Sequence, residues 1–255
     1  MRPKFTKGLL AVAAMCLALV TMVSGVHWAA QSSPANPSGQ ERKKRNLKEE
    51  VLTVIDAAPD EPYAEKKAAR TLKNKRFNTK RTSLLEQEDG SFSGILTESP
   101  RPPALPVTSD LIVVGNIQRR QPYLSDNITV VYTEFTVHIE EILKDHASSP
   151  VYAFQPLIIH REGGAIRMPS GRIFRYLVDG IGSMPEVGKR YVLFLQHEKD
   201  QDYGLVVGYE LTDKEIIPLE DFADRDPIRA LTETQFLSLL RRKISESKTD
   251  KENWK

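Results

Sequence analysis

The feature that most limits the fold is a strict period of two between positions 128 and 142. Val131, Thr133, Phe135, Val137 and Ile139 fall on one side of an extended chain, and Glu134, Thr136, His138 and Glu140 on the other. Side chains alternate across a strand, so this pattern predicts a long strand with one face inward and the other toward solvent. A helix would scatter the same apolar residues around its circumference. A β-branched run at 110–117 has the look of its hairpin partner, joined to it by the turn-formers of 121–127. Further strand-like segments at 157–161, 165–168 and 173–178 are separated by Gly163-Gly164 and Pro169-Ser170-Gly171, which predicts consecutive hairpins. The run 190–195 is the most hydrophobic of these and is expected to be central; 203–211 and 215–219 follow, with Asp213-Lys214 at their turn.

Many short strands without alternating helices predict a mainly β fold, an antiparallel barrel or sandwich, and the span 107–222 fits a small barrel. A helix at 223–247 comes next. Thr232 and Gln235 have capping-box spacing, and Phe236, Leu239, Leu240 and Ile244 make an apolar stripe expected to dock on one barrel opening. Residues 248–255 read as a tail.

The amino-terminal third is different in kind. Arg2, Lys4 and Lys7 precede an uncharged apolar run at 9–23, so residues 1–30 read as a signal peptide or, if uncleaved, a membrane anchor spanning 8–26. Export is expected, with the rest of the chain either tethered and facing outward or released to the periplasm or exterior. Arg42 to Arg45 supply a second basic flank, which argues against that orientation, but the nearer n-region usually dominates. The one cysteine, Cys16, lies inside this run. The remainder therefore has no disulfide and no thiolate chemistry, and its core must hold it together.

Residues 31–106 read as a linker, proline-rich at both ends and basic. Leu47, Val51, Leu52, Val54 and Ile55 would line a short helix, and a second helix is expected at 64–75. Lys66, Lys67, Arg70, Lys73, Lys75, Arg76, Lys80 and Arg81 form a cationic run without an acid. It reads as a solvated, self-repelling spacer; the functional alternative is attachment to an anionic surface, each cation contributing about 1 kcal/mol. The net charge of +2 is too small to indicate a nucleic-acid binder.

Three segments carry a resemblance: 109–115, 132–144 ending in Glu140-Glu141-Ile142-Leu143-Lys144, and 187–195. Their order is similar to that of netrin-like, inhibitor-of-metalloproteinase-like OB barrels, and the resemblance implies an OB-like barrel in the second half. The distinctive stretch 161–172, together with the leader, resembles an uncharacterised family of exported bacterial proteins. Netrin-like modules are usually disulfide-linked, and their protease inhibitors act through an amino-terminal cysteine, which is lacking after the leader here.

Candidate site residues are few. His138, His146, His160 and His197 lack zinc-ligand spacing, so no metal or cofactor is expected. No Ser/His/Asp order, phosphate loop or HExxH is present, and no catalytic residue is assigned. Arg161, Arg167, Arg172 and Arg175, with Tyr176 among them and His160 adjacent, cluster about the two glycine turns. On one face they would form a cationic patch for an anionic ligand; the alternative is a set of solvated cations balanced by Glu162 and Asp179. The expected function is a non-catalytic exported module that binds an envelope component. An envelope hydrolase assembled from scattered residues is one alternative, which a pocket joining His160 or His138 to two carboxylates would favour. A nucleic-acid-binding OB domain is another, should the chain not be exported.

Overall fold

The structure, a computed structural model, describes residues 53–60, 63–78, 84–87, 90–97, 108–146, 150–179, 183–198, 202–220 and 227–252. The leader, Leu47, Val51, Leu52, Lys80 and Arg81 lie outside these residues. Among the described residues no helix is long and apolar enough to cross a membrane.

The fold is mainly β, with eleven strands among the described residues and two helices. The larger sheet is formed by β4 (Leu111–Leu124), β5 (Val131–Lys144), β6 (Pro156–Glu162), β9 (Arg190–His197), β10 (Tyr203–Leu211) and β11 (Ile216–Pro218). Their order is β11-β10-β6-β5-β4-β9, and β10 also pairs with β9. Only the contact between β10 and β6 is parallel. The smaller sheet contains β1 (Ile55–Asp56), β2 (Leu85–Glu86), β3 (Phe92–Thr97), β7 (Gly164–Arg167) and β8 (Ile173–Asp179), in the order β1-β7-β8-β3-β2.

Alternation places the core. On one face of the larger sheet Leu111, Val113, Phe135, Val137, Ile139, Ile159, Leu193 and Leu195, each at most 1% exposed, belong to one cluster. The intervening residues Ile112, Val114, Val192 and Phe194 point to the opposite face, where Phe236, Leu237, Leu240 and Ile244 of helix α2 (Glu233–Glu252) cover them. The expected docking on a barrel opening is thus corrected: α2 lies across a sheet face. Two apolar residues in every three or four on a helix match a face on which alternate strand residues are free. The cap is the expected one, with the Gln235 amide donating to Thr232 Oγ1 at 3.3 Å and the Thr232 amide to Gln235 Oε1 at 2.9 Å.

Three further expectations are corrected. The first hairpin turns at Ser125–Val130, since β4 runs on through Gln121, Pro122, Tyr123 and Leu124 to pair with β5. Pro122 is tolerated because β9 pairs with β4 only as far as Asn116, leaving that part of the strand with one ladder. Ser125 closes the turn by accepting the amides of Thr129 and Val130, each at 3.0 Å.

Gly163-Gly164 is no hairpin. β6 pairs with β5 and β10, whereas β7 pairs with β1 and β8, so the two glycines carry the chain from one sheet to the other. Their φ values are +111° and +133°, and a Cβ at Gly164 would lie 2.5 Å from Thr133 Oγ1. Only glycine adopts this conformation without strain.

Residues 31–106, finally, are not uniformly spacer. β1 pairs with β7, and β3 pairs in parallel with β8 over six residues from Phe92↔Phe174 to Thr97↔Asp179. Ile55 is therefore extended and not helical. Val130, Val131, Ile166, Phe174 and Tyr176 form a third apolar cluster, against which Ala57, Leu84 and Phe92 pack. The expected helix is present as α1 (Ala64–Arg76).

Candidate functional site

The polar face of β5 is not turned to solvent at its amino-terminal end. Tyr132 is fully buried and Glu134 is 8% exposed, because α1 lies over them. Helix α1 has no buried residue of its own. What it brings is a stripe at helical spacing: Arg70, Lys73, Asn74 and, one residue past the end, Phe77, at i, i+3, i+4 and i+7, with Arg76 at the stripe's edge.

Each member has a partner on the sheet. Arg70 donates to both Glu134 oxygens, at 2.7 and 3.0 Å, and to Tyr132 Oη at 3.2 Å. Its guanidinium carbon also sits 3.7 Å from the centre of the Tyr123 ring. Lys73 Nζ bridges Glu134 and Asp202, at 2.8 Å to each. Arg76 reaches Asp202 at 2.8 Å and Glu198 at 2.5 Å. Tyr132 donates its hydroxyl proton to Asn74 Oδ1 at 2.7 Å, and Phe77 stacks on the Tyr132 ring at 3.8 Å.

His160 is at the centre. Register places it opposite Glu134, and it is 4% exposed. Nδ1 faces Asp202 Oδ1 at 3.3 Å, Nε2 faces Glu198 Oε1 at 3.2 Å, and the Phe77 ring meets the imidazole edge-on at 5.1 Å. A neutral imidazole has one donor nitrogen, so only the imidazolium satisfies both carboxylates. Burial opposes that charge, but the hydrogen bonds to Asp202 and Glu198 outweigh it and the pKa is raised. The carboxylates move the other way. Burial would raise Asp202, yet His160 and Lys73 hold it well below the usual carboxylate range. Glu198 is lowered chiefly by its bond to His160, and Glu134, against its burial, by Arg70 and Lys73.

The arrangement therefore joins His160 to two carboxylates, the feature that would favour an enzyme. Its chemistry is nonetheless committed. Both ring nitrogens and the oxygens of Asp202 are engaged, and a general base needs a free nitrogen within reach of a substrate proton. Among the described residues no group of three or more His, Cys, Asp or Glu has the geometry to hold a metal ion.

The six arginine-patch residues do not share one surface. Arg161 is 2% exposed and donates to the buried Glu220 at 2.9 Å, with its Nε and Nη1 lacking partners. Tyr176, 1% exposed, belongs to the third apolar cluster, and His160 to the site beneath α1. Only Arg167, Arg172 and Arg175 remain together, about the β7–β8 hairpin, where Arg167 pairs with Asp56 at 3.2 Å and Arg172 lies 6.0 Å from the Phe92 ring. Of the other histidines, His146 and His197 stack at 4.6 Å, and His138 is 6.3 Å from the Phe154 ring.

Glu134, Glu198, Asp202, Tyr123 and Tyr132 were missed as site residues by sequence reasoning, and Arg70, Lys73 and Arg76, expected as a solvated spacer, are instead paired with acids of the sheet. The available signal was the match between cations at 70, 73 and 76 and the acid on the polar face of β5. Ion pairs formed across 64 to 129 residues leave no local periodicity to find.

No protein-family model matches this chain, and no curated protein matches it.

Proposed function

We propose that the chain is an exported, non-catalytic binding module: an OB-like barrel that engages a component of the cell envelope through the outer face of β5 and β6. The barrel reading rests on the pairing order, which runs β4-β5-β6-β10-β9 and returns to β4, with β6 and β10 the one parallel contact. Export rests on the basic n-region and apolar run of the leader, which would tether the module through residues 8–26 if uncleaved. OB barrels commonly bind along an exposed sheet face.

The observation that carries the reading is the composition of the covered face. Three carboxylates, an imidazole and two tyrosines converge there, and both nitrogens of His160 are taken up by carboxylates. Such a face is made for holding cations in a fixed geometry. The hydrolase alternative draws on the same His160 pair of carboxylates, but these occupy the nitrogens a base would use.

Capture from envelope extract on the immobilised full chain tests this. A component retained by the wild type should be lost from Glu134→Lys and Asp202→Lys forms that keep their strand circular dichroism. Equal retention on all three would refute use of this face. Turnover of an ester or glycoside panel that disappears with His160→Gln would replace the binding reading with the enzymatic one.

A further inference from the structure

The contacts of Arg70 amount to a complete guanidinium receptor. A carboxylate takes both forks of the planar group, a phenol oxygen takes a further hydrogen bond, and an aromatic ring lies against its face at 3.7 Å. Arginine is recognised in this way at sites that select it over lysine. One turn on, Glu134 and Asp202 share the Lys73 ammonium, and Asp202 with Glu198 receives Arg76. Beyond these, Tyr132 and His160 form a right-angled aromatic seat for Phe77. With the hydrogen bond from Tyr132 to Asn74, the face thus reads a helical segment by residue type at five positions.

Beyond these contacts, the end of the helix is held at the β4–β5 turn, where the Asp126 amide donates to the Asn74 carbonyl at 3.4 Å and the Asn127 amide to Asn78 Oδ1 at 2.9 Å. Nothing within α1 is buried, and Tyr63 and Leu72 are 65% and 66% exposed. A helix of 13 residues is marginal by itself in water. A segment attached by ion pairs, a few hydrogen bonds and one aromatic ring, without an apolar face of its own, is exchangeable for a competitor that offers the same groups. Its departure would expose the Phe77 ring and the Tyr132 ring beneath it, and would leave on the sheet three carboxylates against one imidazolium.

We propose that this face is a binding site for a basic, arginine-bearing helix supplied by a partner protein, and that α1 is the internal ligand that occupies it until displaced. The recognised pattern is Arg at i, Lys at i+3, Asn at i+4, Arg at i+6 and Phe at i+7. This rests on the binding reading above and gives it a ligand class. A tether holds α1 at an effective concentration of the order of millimolar, so the covered site binds competitors weakly. Vacating it raises the affinity without altering the receptor.

The test uses the full chain and a labelled peptide with the sequence of residues 63–78, followed by fluorescence anisotropy at low salt. Arg70→Gln, Lys73→Gln and Arg76→Gln together remove the helix's cations without adding anions that would attract the peptide. The triple variant should bind the peptide at least about tenfold more tightly than the wild type does. A further Glu134→Lys change should abolish binding, and 0.5 M salt, about the ionic strength at which such pairs are strongly screened, should weaken it. Equal binding by wild type and triple variant overturns the proposal. So does a triple variant that loses its cooperative strand melt, since α1 would then be a structural part and not an occupant. Retention of the wild type on anionic vesicles, with no peptide binding by the triple variant, places ligand recognition on α1 and not on the sheet, and overturns it too. An envelope component whose capture depends on Glu134, without peptide binding, removes this ligand class and leaves the binding module standing.

Discussion

Replacing Asp202 by asparagine separates the docking of α1 from the stability of the sheet. Three cations converge on this one carboxylate: Lys73 and Arg76 at 2.8 Å each, and His160 at 3.3 Å. The amide keeps the shape and one acceptor but removes the charge. Hydrogen bonds involving charged groups contribute about 1.5–3 kcal/mol each, yet three on one acceptor do not add, because they share it. The loss is further bounded, since α1 can swing out and return Lys73 and Arg76 to water while Arg70 and Glu134 lose their support. The side chain of Asp202 is 10% exposed, so solvent screening reduces the effect only slightly. These bounds put the weakening of α1 docking at about 2–3 kcal/mol, which is roughly a 30- to 150-fold rise in the opening equilibrium. Amide exchange measured at fixed pH and low salt should show that acceleration over residues 67–76, while β4 and β9 exchange as before. Unchanged exchange in α1, or equal acceleration in every strand, would refute the reasoning.

Other perturbations address separate parts of the fold. The site should be most stable between about pH 5 and 6.5. The raised His160 pKa contributes stability that is complete below its ordinary 6.5 and lost as pH rises through the folded value. The lowered Glu198 and Asp202 contribute stability present above their ordinary 4.5 and 3.8 and lost as pH falls through their folded values. Urea midpoints across that range check this, and His160→Gln should remove the upper limb and shrink the lower one, since Glu198 and Asp202 owe part of their lowering to His160. Leu240→Asp places a carboxylate where α2 meets β4, β9 and β10, at a side chain 5% exposed, and should cost about 3 kcal/mol or more. A urea midpoint left in place would show that the helix contributes nothing by docking. Gly164→Ala should cost about 1–3 kcal/mol, because both its φ and the 2.5 Å approach to Thr133 must change. Gly171→Ala, with positive φ but open space around it, should cost less, and the order of the two melting temperatures decides.

Most strands between 110 and 219 were legible because each needs only its own alternation of apolar and polar residues, and Phe135, Val137 and Ile139 are buried as that pattern requires. The turn lies at Ser125–Val130 and not across 121–127 because the turn-formers there include Pro122, which a strand with one ladder accepts. β3 went unseen because Phe92–Thr97 is short, contains Gly94, and finds its partner more than seventy residues later. The site was hidden for a related reason. Tyr132, Glu134 and His138 alternate as a solvent face does, and nothing local distinguishes a face awaiting water from one awaiting a helix with the opposite charge.

The parallel pairings of β1 and β3 also set an order of events. β3 needs β8, β1 needs β7, and Arg76 lies 126 residues ahead of Asp202. A chain emerging from its amino terminus, from a ribosome or through a membrane, therefore presents its basic segment long before the acids that neutralise it exist in folded form. Contacts so distant in sequence form slowly, because a large loop must close before any of them is made. During that interval the cations of α1 are available to whatever anionic surface is nearest, and folding of the carboxy-terminal strands is the step that withdraws them.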